Sequence, residues 1–288
     1  MKYTSRMNEE HKALIGLHIS VFLVGVTGLL SKLVTTSAVF IVFGRVLFAS
    51  AALVLILKCR KESILPKTVK DAFVFIALGA LLSFHWYAFF HSIKLSSVAI
   101  GLLTFATFPF FTTFLEPVFF RTVLKLRDVA LAFLCCFGVW LIVPEIDLSE
   151  DYGQGVVWGI LSGASYAFIL LVNKKYVASY SPLNLTLYQC FVALVITSPI
   201  VFLMQETVMA MDWIYLFFNG VICTAIAHTL YIYSSRFIAA KTISIVTMLE
   251  LIYGIVLAYL ILGEEVGVSM AAGGCIIMFA AYLSSRKS

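Results

Sequence analysis

The sequence predicts an all-α membrane protein with ten transmembrane helices in two inverted five-helix repeats and both termini in the cytoplasm. Three observations predict it. Of the 288 residues, 62% are hydrophobic and only 12% charged, with a mean hydropathy of +1.03, too little polar surface to cover a water-facing globule. The apolar residues fall into ten runs of roughly 18 to 23 residues, each long enough to cross a bilayer as a helix. The basic residues cluster in every second connection.

The first run, 12–31, follows Lys2, Arg6 and Lys12. It is too long for a signal-peptide core and no small-residue cleavage pattern follows, so it is expected to stay as a helix ending at Lys32. The second, 38–57, contains "VFIVFGRVLFASAALVLIL" (39–57), an ordinary apolar span apart from Arg45. The third and fourth, 70–92 and 96–119, meet at Lys94. Pro109 and Pro117 should break the fourth, because proline removes a helical donor and crowds the preceding turn. The fifth, 127–143, closes an N-terminal unit of residues 1–149.

The C-terminal unit, 150–288, opens with 153–173. Within it "GVVWGILSGASYAF" (155–168) sets Gly155, Gly159 and Gly163 in a double G-x-x-x-G ridge suited to close helix packing, followed by Ser165 and Tyr166. The remaining runs are 183–204, 213–233, 240–262 and 267–284.

If the segments alternate sides, the N-terminus and every second loop carry seventeen of the twenty Lys and Arg, and most acids lie opposite. That bias orients both termini to the cytoplasm and makes this an integral multi-pass protein of the plasma (bacterial inner) membrane. The net charge of +5 is therefore a topology signal; no nucleic-acid partner is expected. Five helices per half is an odd number, so the second half must enter upside down. The halves align: "HSIKLSSVAIGLLTFATFPFF" (91–111) lies on "YSSRFIAAKTISIVTMLELIY" (233–253), Lys94 on Arg236, Lys32 on Lys174, and Arg45 on Gln189. Inverted repeats let two halves exchange conformations around a site near the midplane, which is a transporter device.

At these landmarks the chain resembles the drug/metabolite transporter superfamily, specifically the EamA-type ten-helix exporters. The resemblance rests on Lys32, Arg45, Tyr188-Gln189 and above all "MLELIYGIVLAYLILGEEVGVSMAAGGCIIMFAAYL" (248–283), with its L-E start, its L-G-E end and a small-residue-rich last helix. Leu251 replaces the usual proline, and "FFRTVLKL" (119–126) stands where the family often has G-E. The resemblance implies alternating-access transport of a small solute.

Three full charges lie well inside apolar runs: Arg45, Glu116 and Glu250. A mid-bilayer charge costs at least ~2.5–3.5 kcal/mol, so each needs a partner or a wet cavity. Arg45 sits about 10 Å from the outer end of its helix; it either snorkels outward or acts as an anion clamp or switching ion pair. Glu250, central in its run, is protonated in place, paired, or a proton-coupling group. Glu116, beside Pro117, suits an interfacial or capping role. His85, Trp86 and Phe89 share a helix face, and His228 occupies the matching place in the second half, so the predicted substrate-binding or coupling set is Arg45, His85, Trp86, Tyr166, Gln189, His228 and Glu250. His85 and His91 are about 120° apart around a helix and cannot share a metal.

The cysteines show no metal or disulfide spacing and read as small buried hydrophobes. No catalytic residue and no cofactor is expected. G-x-S-x-G, H-E-x-x-H and paired intramembrane aspartates do not occur, which weakens an intramembrane enzyme as the alternative; a channel would need a filter or charged ring, and a non-transporting assembly protein would not need the repeat. No G-x-x-x-x-G-K-[ST] occurs, so this chain does not itself pump with ATP. The expected function is a secondary transporter, running as an exporter, for a small polar or zwitterionic metabolite such as an amino acid, with proton coupling. The expected partners are that small-molecule substrate, the lipid bilayer, and a second copy through the fifth and tenth helices.

Overall fold

Four of the helices begin on a serine or threonine, Ser37, Thr68, Ser97 and Ser181, whose side chain accepts from a backbone amide that the helix leaves open. The computed structural model describes residues 2–121, 123–142, 150–238, 243 and 246–285, and the side chains of 2–8, 281, 284 and 285 are outside that description. The helices are α1 (Lys2–Leu33), α2 (Ala38–Cys59), α3 (Val69–Leu95), α4 (Val98–Phe105), α5 (Phe108–Phe120), α6 (Leu126–Ile142), α7 (Asp151–Tyr176), α8 (Pro182–Met204), α9 (Ala210–Gly220), α10 (Ala227–Phe237), α11 (Leu249–Leu262) and α12 (Val268–Ser285). A π-helical stretch, Val221–Ile226, joins α9 to α10 without interruption. No strand occurs among the described residues.

Among the described residues seven helices are long and apolar enough to cross a membrane, α4 with α5 and α9 with α10 each counting as one, and Leu249–Leu262 and Val268–Ala280 are shorter apolar helices. The fourth expected span is indeed broken. Thr107 precedes α5 with Pro109 in its first turn, so the break falls where proline lacks a donor, while Pro117 is accommodated inside α5. α1 is longer than its apolar run because its polar start continues the helix; there Lys12 Nζ donates to Glu9 Oε1 at 2.9 Å. The first part of the expected 240–262 helix, and Lys2, Arg6, Glu145, Asp147, Lys241, Arg286 and Lys287 of the charge pattern, fall on residues or side chains outside the description.

Serine caps set the register of the two equivalent helices α2 and α8. Ser37 accepts from Phe40 N and Ser181 from Asn184 N, each in extended conformation ahead of its helix. The halves then interlock: α1 packs on α10 and α11, α3 on α7 and α8, α2 on α8 and α9, and α6 on α12. The glycine ridge of α7 serves this packing. A Cβ at Gly159 would lie 1.8 Å from Thr104 Oγ1, so only glycine lets α7 approach α4 this closely. Outward, large apolar side chains such as Leu55, Phe73, Phe202, Leu203 and Leu260 stand exposed, the surface a lipid-embedded bundle presents.

At one end of the bundle, acids of the second half bind backbone amides of the first. Glu206 accepts from Ser37 N at 2.8 Å, Asp212 from Thr35 N at 2.9 Å and Thr35 Oγ1 at 2.7 Å, and Glu264 from Val98 N at 3.1 Å and Ala99 N at 3.3 Å. Lys32 donates to Ile93 O and Ser96 O, and Lys94 to Val34 O, closing the carboxyl ends of α3 and α1. At the other end Tyr180 donates to Asp71, Tyr233 to Glu9, and Lys174 lies 3.9 Å from Glu116.

Candidate functional site

Between the halves lies a cavity of about 560 Å³, its open mouth included, lined by side chains from α1, α2, α3, α4, α7, α10 and the start of α11. Arg45, His85, Trp86, Tyr166, His228 and Glu250 all line it. The structure brings together six of the seven predicted residues, from positions spread over two hundred residues of chain.

Arg45 does not snorkel. Its side chain is 1% exposed, and its Nε donates to Thr224 Oγ1 at 2.9 Å. The guanidinium carbon lies 4.2 Å from the centre of the Trp86 ring and 5.1 Å from that of Phe90. Ring quadrupoles and one hydroxyl thus compensate the charge. No carboxylate among the described residues forms an ion pair with it. Glu250, 5% exposed in the first turn of α11, also has no ion pair among the described residues. One cavity therefore carries a buried base and a buried acid that do not neutralise each other directly.

The walls between them are aromatic. His85 Nδ1 lies 3.0 Å from Ser162 O and 2.9 Å from Ser162 Oγ, which ties the ring to α7. The same ring stands 5.1 Å from Tyr166 and 5.6 Å from Phe105, centre to centre. His228 meets Trp86 edge-on at 5.2 Å, and Phe105 stacks on Phe108 at 5.4 Å. Such a wall takes a planar or cationic group.

Gln189 is placed elsewhere. It is 2% exposed, and its amide donates to Asn173 Oδ1 and to Leu185 O, both at 2.9 Å, so it is engaged within its own half. Its neighbour Tyr188 stacks on Phe75 at 4.8 Å, in an aromatic cluster with Tyr176 and Tyr180. Among the described residues, Ser165 bonds to the carbonyls of its own helix, Leu161 and Ser162. Of the cysteines, Cys135, Cys190 and Cys223 are buried as expected, but Cys136 and Cys275 are exposed, because they stand on outward faces of α6 and α12, as is Cys59 at the end of α2, and all six are free. No group of residues able to hold a metal occurs among the described residues.

Sequence reasoning missed Tyr231, Thr224 and Thr247. Tyr231 lines the cavity together with Tyr166 and Thr247. It lies three residues past His228, and helical spacing puts it on the same face, a signal available in the sequence. Thr224 had no such signal, because its direction depends on the π-helical stretch.

The profile of the EamA-like transporter family matches residues 11–143 and again 153–286. An uncharacterized transporter of Bacillus subtilis, YxxF, is 28% identical over 257 residues, covering 86% of this chain and 81% of the relative. An S-adenosylmethionine uptake transporter of Rickettsia conorii is 23% identical over 206 residues, covering 72% and 69%. A solved structure titled only as the crystal structure of a protein superposes with a TM-score of 0.69 at 12% identity over 94% of this chain and 95% of that one, which shows the shared fold. This chain, an integral multi-pass membrane protein of two repeats, belongs to the EamA-like transporter family, within the drug/metabolite transporter superfamily.

Proposed function

We propose that the protein is a proton-coupled secondary transporter for a zwitterionic metabolite of the amino-acid type, working by alternating access around the cavity. The observation that carries this reading is the pairing of buried Arg45 and Glu250 across one aromatic-walled cavity with no direct ion pair at either among the described residues. Arg45 receives a carboxylate with its planar fork of donors, a geometry lysine lacks. Trp86, Phe105 and Tyr166 take an apolar, planar or cationic remainder. S-adenosyl-L-methionine has a carboxylate, an ammonium, a sulfonium and a planar base in one molecule, and a relative is named as its uptake carrier; it is the first probe.

In this reading ten spans cross the bilayer and both termini are cytoplasmic. The units 1–149 and 150–288 rock against each other. The end held by Glu206, Asp212 and Glu264 faces outside. Glu250 is the proton carrier: it is exposed to one side, then to the other, as the halves move. Gradients set the direction, so the exporter direction expected from the resemblance and the uptake named for relatives use the same machine.

Two measurements in proteoliposomes test this. Counterflow of labelled S-adenosyl-L-methionine and of amino acids establishes the substrate class; no counterflow with any zwitterion refutes the reading. Glu250→Gln imitates the protonated acid. It is expected to keep exchange at wild-type rates and to abolish accumulation driven by a pH gradient, and accumulation equal to wild type would remove Glu250 from coupling.

A further inference from the structure

The helix facing Arg45 is not a regular α-helix at the point of contact. α9 widens into the π-helical stretch Val221–Ile226, and inside it Thr224 Oγ1 donates to Asn219 O, five residues back, at 2.8 Å. A hydroxyl has one proton and two lone pairs. Its proton is committed to the helix, so an oxygen lone pair faces Arg45 Nε at 2.9 Å. In an α-helical register the partner of position 224 would be four residues back, and the threonine would turn by most of one residue's rotation away from α2.

Two further features show that this turn is held in a costly geometry. At Gly220 a Cβ would lie 2.5 Å from the backbone oxygen of Arg45 and 2.7 Å from Phe48 Cβ, so α9 rides directly on the backbone of Arg45 and only glycine allows it. Both amide atoms of Asn219 are buried without a hydrogen-bond partner among the described residues. Orphaned buried polar groups and π-helical turns both concentrate at functional positions.

We infer that Thr224 is the positioning residue for Arg45: the second half of the protein reaches across and fixes the direction of a substrate-binding group in the first. With Nε held by Thr224 and the guanidinium carbon 4.2 Å from the centre of the Trp86 ring, the two terminal nitrogens are reserved for the carboxylate of the substrate. A relative movement of the halves that turns the π-helical stretch withdraws the oxygen from Nε and releases the clamp, which links substrate release to the rocking step. This rests on the anion-clamp role proposed for Arg45.

The test uses two readouts on the full chain. Trp86 is made the sole tryptophan by W140F, W158F and W213F, so its emission reports the guanidinium stacked on it. Thr224→Val keeps the shape and removes the oxygen; Thr224→Ser keeps the oxygen. Thr224→Val is expected to move the emission to that of Arg45→Met and to raise the KM for S-adenosyl-L-methionine about tenfold with kcat little changed, the scale of one hydrogen bond to a charge. Thr224→Ser is expected to restore both. Emission unchanged in Thr224→Val, or shifted with no change in KM, overturns the inference. If Arg45→Ala itself transports with the wild-type KM, or S-adenosyl-L-methionine is not carried, the clamp reading fails separately, and the emission alone still decides whether Thr224 holds the guanidinium.

Discussion

Eight residues after its serine cap, the first half carries Arg45 and the second half carries Gln189. The two positions are equivalent in register, nearly equal in burial and opposite in what they bond to. Arg45 is held by Thr224 of the other half and lines the cavity. Gln189 is held by Asn173 and by the carbonyl of Leu185, both of its own half. In the proposed rocking movement, a side chain bonded across the halves would sense the movement, whereas one bonded within a half would move with that half. The repeat thus supplies a symmetric scaffold, and the proposed site uses a position where the symmetry is broken.

Breaking the first position should have the largest effect. Arg45→Ala is expected to insert and fold but to lose transport about a hundredfold or more, since truncating one member of a buried charged contact costs ~2–5 kcal/mol. Arg45→Lys should recover only part of the flux, because an ammonium lacks the bidentate fork. Flux in Arg45→Ala with wild-type KM at normal expression would make the two positions functionally equal and undo the comparison.

Gln189→Leu should have the reverse signature. It removes the partner of Asn173 and leaves a half-buried amide unsatisfied, a loss of about 1–3 kcal/mol in stability. The KM of the transported molecule should not change. A raised KM with unchanged thermal stability would place Gln189 in the substrate path.

A smaller asymmetry lies at the ends of α5 and α11. Both helices stop on a left-handed residue, Gly263 with φ +69° in the second half and Arg121 with φ +54° in the first. Glycine adopts that conformation freely and arginine does not. Arg121→Gly is therefore expected to raise stability by about 0.5–1 kcal/mol, read as a higher unfolding midpoint with unchanged transport. A fall in stability would mean that the arginine side chain contributes more there than its backbone costs.

Much of this was legible in the sequence, for identifiable reasons. The apolar runs and the alternation of basic loops report directly on a bilayer, and the register of Arg45 against Gln189 follows from aligning polar landmarks. Pro109 and Pro117 marked the fourth run for a break, because proline lacks a helical donor, and the structure ends α4 at Phe105 and starts α5 at Phe108. Arg45, His85, Trp86, Tyr166, His228 and Glu250 were marked because polar groups inside apolar helices need a reason, and the cavity collects them. Gln189 was marked by its alignment with Arg45 and by the family resemblance, and it lies outside the cavity. A lone amide in an apolar helix can be satisfied by a neighbour such as Asn173, and sequence does not reveal which neighbour is close. Thr224 was invisible because its role depends on one extra residue in a helical turn, a deviation that leaves no trace in hydrophobic periodicity.

The central claim is that the charge at position 45 reads an anionic group of the substrate, and a matched pair of molecules tests it most directly. Transport of S-adenosyl-L-methionine and of its decarboxylated form should be compared in proteoliposomes for wild type and Arg45→Gln, the variant that gives the first half the residue of the second. Wild type should favour the carboxylate-bearing molecule by at least about tenfold in kcat/KM, and Arg45→Gln should carry both at similar, low efficiency. An Arg45→Gln protein that keeps the wild-type preference would contradict the account.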